Sequence, residues 1–182
     1  YKIMSTLKVN KIIPTAGVPT GGGGGIVQTV FAENNSIQTF SFNSSSFSPQ
    51  TVCSASITPT SSSSKILIYC SAGIFASSTT NQHFECSLYL KRGNSLIGGN
   101  TQSGAFRGTN VMWSGVNAPE CAVTGTFFYL DSPGTDQSTT YNLCLQGGET
   151  RTYGVCRSQY SSNSNNFTNS SGTSITLMEV SA

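Results

Sequence analysis

Ser64-Lys65-Ile66-Leu67-Ile68-Tyr69-Cys70-Ser71-Ala72-Gly73-Ile74-Phe75 is the longest apolar run in the chain. It is rich in β-branched and aromatic residues, follows Pro59 and four serines, and carries no helix cap or helical charge pattern. Such a run reads as a strand that can pack on both faces. Ile66, Ile68, Cys70, Ala72 and Ile74 form one face, and Leu67, Tyr69, Gly73 and Phe75 form the other. One face meets the opposing sheet of a sandwich. The second needs cover from a loop or a neighbouring chain, which makes Leu67, Tyr69 and Phe75 candidate contacts of an oligomer.

The surrounding composition agrees with a β protein. Charged residues make up 9 % of the 182, against a usual ~25 %. Ser and Thr together number 52, and Gly adds 19. A chain this poor in charge would be disordered if it also lacked aromatic and β-branched residues. Aromatics are 10 % and recur in alternating segments, so the reading is a folded domain with a polar, weakly charged surface. The length suffices for one sandwich or barrel plus an arm.

On either side of the long run, short alternating segments are separated by turn residues. Residues 26–31 and 37–42 flank an Asn34-Asn35 turn, and residues 51–57 place Cys53, Ala55 and Ile57 on one side. Residues 84–91 place Phe84, Cys86, Leu88 and Leu90 inward. Cys121 to Leu130 sets Val123, Phe127 and Tyr129 on one face, and Asp131 is explained by the turn Asp131-Ser132-Pro133-Gly134. Thr140–Gln146, Thr152–Arg157 and Thr173–Val180 complete the set. About eight to ten strands at this spacing, with no convincing helix, predict an all-β, jelly-roll-like β-sandwich over residues 26–182. Few lysines blunt its edges, and packing about a threefold axis would cover both an edge and the second apolar face.

Residues 1–25 differ from the rest. Ser5 to Ile12 alternates, with Leu7, Val9 and Ile12 on one side and Lys8 and Asn10 on the other, followed by Ile13. That pattern suits a short strand seeking a partner. The run Gly21 to Gly25 cannot hold a conformation of its own and reads as a hinge. The segment is therefore expected to be an extended N-terminal arm that docks on something larger through Leu7, Val9, Ile12 and Ile13. Its glycines do not cradle a nucleotide, because no strand precedes them and no helix follows.

Catalytic and metal chemistry find little footing. The single histidine, His83, has no marked partner, and seven carboxylates are scattered without a distinguished pair. Six cysteines are widely spaced without a CxxC pair, so no metal site is expected, and they read as buried, mostly free thiols. A net charge of +2 without basic clusters argues against nucleic acid. No apolar run reaches the ~20 residues of a membrane span, and the first residues lack the order of a secretory signal. No cofactor is expected. Binding is the better reading. Tyr153, Tyr160 and Phe167 among Ser, Asn and Gly, and Arg107, Asn110 and Trp113 in a second group, have the composition of adaptable recognition loops.

Several segments in fixed order resemble tailed-bacteriophage fibre-like proteins, including those of cyanobacterial viruses. They are Met4-Ser5-Thr6-Leu7-Lys8-Val9-Asn10-Lys11-Ile12, then Ile57-Thr58-Pro59 through Ser64-Lys65-Ile66-Leu67, then Leu130-Asp131-Ser132-Pro133-Gly134-Thr135 with Thr140-Tyr141. The ending Ser174-Ile175-Thr176-Leu177-Met178-Glu179-Val180 completes the pattern. The resemblance implies a non-enzymatic virion appendage. It also implies a homotrimer whose jelly-roll head is related in shape to C1q and tumour necrosis factor domains. Expected partners are other phage virion proteins of tail, baseplate or capsid, and a host surface glycan. Such a protein is made in the host cytoplasm and acts extracellularly on the virion. A capsid decoration protein or head fibre is the alternative, and a glycan-cleaving depolymerase ranks below both.

Overall fold

A computed structural model describes residues 25–43, 45–77, 84–97, 109–113, 120–148, 150–156 and 172–181. The described residues form β1 (Ile26–Asn34), β2 (Gln38–Phe42), β3 (Gln50–Ile57), β4 (Lys65–Ser77), β5 (Phe84–Arg92), β6 (Ser95–Leu96) and β7 (Thr109–Trp113). They continue with β8 (Glu120–Asp131), β9 (Thr139–Gly147), β10 (Arg151–Val155) and β11 (Thr173–Val180). The fold is all-β: two antiparallel sheets pack as a sandwich, and no helix occurs among the described residues.

The long apolar run is β4, the axis of the first sheet. β8 pairs along its whole length, from Ile66 opposite Asp131 to Ser77 opposite Glu120. Its other edge is shared end to end. β11 takes Lys65 to Ser71, and β10 takes Ile74 to Ala76. β1 then pairs with β11, and β2 with β10. The second sheet runs β3-β9-β5, with β7 and the short β6 sharing the far edge of β5. Setting aside the short β2, β6 and β10, the orders are β1-β11-β4-β8 and β3-β9-β5-β7, which is the connectivity of an eight-stranded jelly roll.

Between the sheets lies one core. Ile66, Ile68, Cys70, Ala72 and Ile74 of β4 are fully buried against Leu88, Leu90, Tyr141, Leu143, Leu145, Ile175 and Leu177. Each such aliphatic side chain contributes roughly 1.5–3 kcal/mol. The sandwich face of β4 is thus as expected. Its second face divides: Leu67 and Tyr69 are half-buried, whereas Phe75 is buried. Phe75 crosses Gly154 of β10, where a Cβ would run into the Phe75 ring and the Gln38 carbonyl. Five cysteines, Cys53, Cys70, Cys86, Cys144 and Cys156, are free and buried.

Two polar clusters hold one end of the sandwich, and one corrects the sequence reading. Asp131 is not simply a turn residue. It ends β8 as a buried carboxylate, receiving Arg92 Nη1 on both oxygens (3.2 and 3.0 Å) and the Tyr141 hydroxyl at 2.7 Å. Arg92 and Tyr141 belong to the second sheet, so the ion pair ties the sheets together. The sharp turn that follows is carried by Gly134, whose φ of 68° lies in the left-handed region. Glu179 of β11 is completely buried. Its carboxylate accepts from Thr60 N (2.7 Å), Thr60 Oγ1 (2.6 Å) and Gln28 Nε2 (2.6 Å). Burial works against its charged form, but the hydrogen bonds from Thr60, Gln28 and Ser64 outweigh it and bring the pKa from 4.5 down to about 2.

Gly154→Ala should lower stability by about 1–3 kcal/mol, because the obstructing Gln38 carbonyl is backbone and cannot swing away; denaturant midpoints test this. Glu179 has a folded-state pKa below its unfolded value, so its contribution is complete above pH 4.5 and is lost as pH falls toward 2. Acid unfolding of the wild type and Glu179→Gln should therefore show a stability difference at neutral pH that narrows across that interval.

Candidate functional site

The first sheet has an outer face as well as a core face, and the strand register composes it row by row. One row runs Phe31, Thr176, Tyr69, Phe128, across β1, β11, β4 and β8. The next runs Thr29, Met178, Leu67, Leu130. A third adds Ile26, Val180 and Lys65. On the other side, Glu33, Ser174, Ser71 and Thr126 form a polar row. The result is an aliphatic and aromatic band with a polar row beside it, laid across four strands.

Four of its side chains are open to solvent to a degree unusual for their type, around a half-buried centre of Leu67 and Tyr69. Phe128 is 68 % exposed, Ile26 60 %, Phe31 59 % and Leu130 51 %. Tyr69 and Phe128 stack at 4.7 Å between ring centroids, an aromatic pair with one side bare. Isolated exposed apolar residues are ordinary, but a contiguous band marks a surface that meets something.

The outer face of the second sheet is the control. There Ser54 Oγ donates to Asn142 Oδ1 at 2.6 Å, and Ser56 and Thr140 share a hydroxyl hydrogen bond of 2.8 Å. Tyr89, its large ring, is covered by the chain's own link between β2 and β3. Phe47 packs edge-on against Tyr89 at 5.2 Å. Ser48 N donates to Gln146 Oε1 (2.9 Å), and Lys91 Nζ donates to Pro49 O (3.2 Å). Among the described residues, the aromatic ring of one outer face is thus covered and the band on the other is exposed.

The sequence-predicted residues fall in three places. Leu67 and Tyr69 lie in the centre of the band, and Phe75 lies on the same side of β4 beyond it, sealed over Gly154. Tyr153 lies in the core and not in an exposed loop. It is wholly buried, its hydroxyl donates to Glu85 O at 2.8 Å, and its ring meets Phe42 edge-on at 5.8 Å. The reason is that the strand expected at residues 152–157, observed at 151–155, is paired on both edges, with β2 and β4, and buries the ring between the sheets. Asn110 and Trp113 sit on β7, opposite Ser87 and Phe84 in the ladder. Arg107, Tyr160, Phe167 and the arm residues Leu7, Val9, Ile12 and Ile13 lie outside the described residues, as does His83.

Sequence reasoning missed Phe31, Phe128, Leu130 and Met178 as members of the band. One signal was present: Phe127-Phe128-Tyr129-Leu130 cannot place all four side chains in a single core, because alternate residues of a strand face opposite ways. Among the described residues no group of three or more His, Cys, Asp or Glu is placed to hold a metal ion. No family model matches the chain, and no curated protein matches its sequence.

If Tyr153 belongs to the core, Tyr153→Ala should cost about 3–5 kcal/mol by opening a cavity. Tyr153→Phe should cost only about 1 kcal/mol, because Glu85 O keeps its second donor, Gly148 N at 2.8 Å. Thermal unfolding of the two variants checks both values.

Proposed function

We propose that this chain is a non-enzymatic virion appendage protein of a tailed bacteriophage, a tail fibre or similar part that contributes to host-surface attachment as a homotrimer. The observation that carries the reading is the bare apolar band of the first sheet, centred on Leu67, Tyr69 and Phe128. A low-charge protein with such a band needs partners to cover it, and a second and third copy of the chain are always at hand. Three heads acting together turn weak sugar contacts into useful binding.

The arrangement of the ends supports the same reading. β1 begins beside the C-terminal strand, where Ser181 N donates to Gly25 O at 3.2 Å, so the arm joins the head at that end. At the opposite end β4 stops at Ser77 beside the start of β8 at Glu120, and β5 starts at Phe84 beside the end of β7 at Trp113. Docking through residues 1–25 and host contact through the far links would therefore not compete for space. The buried carboxylates Asp131 and Glu179 are fully engaged in holding strands together, which favours a structural role over hydrolysis.

Light scattering should return the mass of three polypeptides for the wild type. Phe128→Asp combined with Leu130→Asp should give a folded monomer, since both side chains are exposed in a single head. A wild type with the mass of one chain would overturn the trimer. Particles carrying a chain that lacks residues 1–20 should lose the protein. A reducing-end assay on host polysaccharide separates the readings, with sugar release favouring the depolymerase.

A further inference from the structure

Two thiols, one from each sheet, donate to carbonyls of the same strand, β1. Cys53 of β3 donates to Ala32 O at 3.6 Å, and Cys156, just past β10, donates to Asn34 O at 2.8 Å. Ala32 and Asn34 are two residues apart on one strand, roughly 7 Å. Their ladder partners are Ile175 and Thr173, and the Cys156 sulfur also lies 3.5 Å from Thr173 Oγ1. Small side chains at Cys53, Ala55 and Ala32 let β3 lie close over β1 and β11 at this point. The backbone adds an independent observation. Cys156 has φ 67°, the one non-glycine among the described residues in the left-handed region. Glycine would hold that conformation without strain, yet the chain carries a thiol there.

We propose that Cys53 and Cys156 form a dithiol that closes into a disulfide across the sandwich when the protein meets a low-molecular-weight disulfide. The Cys53 thiolate attacks one sulfur of glutathione disulfide and expels one glutathione thiolate. The Cys156 thiolate then attacks the Cys53 sulfur of the mixed disulfide and expels the second. Two electrons pass from the protein to the oxidant, and the two thiol protons end on the released glutathiones. Cys53 leads because it keeps some exposure, 6 % against 1 % for Cys156. Burial and the nearby Cys156 push the Cys53 thiol up, so the exchange is slow and favoured by alkaline pH. Cys70, the other thiol near Cys53, is completely buried and pushed up to about 12, as is Cys86, and both stay protonated. The new bond would join β3 to the end of β10 and shorten the free chain of the unfolded state.

The test incubates the full chain with glutathione disulfide at about pH 8, where thiolate is available. It then counts thiols after unfolding and maps peptides without reduction. Two of the six thiols should disappear, the mass should fall by two hydrogens, and a peptide should link Cys53 to Cys156. The oxidised protein should need more denaturant to unfold than the reduced one. Cys156→Gly relieves the backbone, so it should fold and show neither the link nor the added resistance; Cys53→Ser should do the same. Retention of all six thiols, a stable glutathione adduct, or a link through Cys70 would overturn the proposal. So would undiminished oxidative stabilisation in Cys156→Gly.

Discussion

The structure depends on one strand having hydrogen-bonding neighbours on both edges and a sealed face between sheets. β4 is thirteen residues long, and its two edges bring together segments from both halves of the chain: β8 on one side, β11 and β10 on the other. Its core face has no polar side chain from Ile66 to Ile74, so burial there needs no compensating hydrogen bond. A charge on that face would be unpaired in a medium that cannot solvate it. The sharing of one edge by β11 and β10 also explains how a sheet of six strands keeps the width of four.

Polar groups enter the interior only where they join elements. Asp131 connects the end of β8 to Arg92 and Tyr141 across the sandwich, and Glu179 connects β11 to β1 and to the link before β4. In β11 this inverts the usual pattern, for Glu179 points inward while Met178 and Val180 face outward. The inversion delivers apolar side chains to the band and a carboxylate to a nest of donors in consecutive residues. One strand thereby serves the core on one side and the exposed band on the other.

How much of this was legible in the sequence varied with the range of the interaction. β4, β5, β9 and β11 announce themselves by local alternation, and in β5 the inward residues Cys86, Leu88 and Leu90 were named correctly. Tyr153 was misread as a contact residue although its strand was expected, because the pairing that buries it comes from residues about 80 and 110 positions away (roughly, as expected for non-local sheets). Asp131 was misread for the same reason: a turn signature is local, and its partner Arg92 lies on another strand in the other sheet. The band could not be assembled from the sequence, because it exists only once the register of β1, β11, β4 and β8 is fixed, and a slip of one residue would turn each strand over.

The hydroxyl and amide ladder on the second sheet bears on how the protein meets its medium. Ser54 with Asn142, and Ser56 with Thr140, face solvent as neutral dipoles, so these pairs call for no counterions. A coat of that kind is indifferent to ionic strength, because the Debye length acts only on charges.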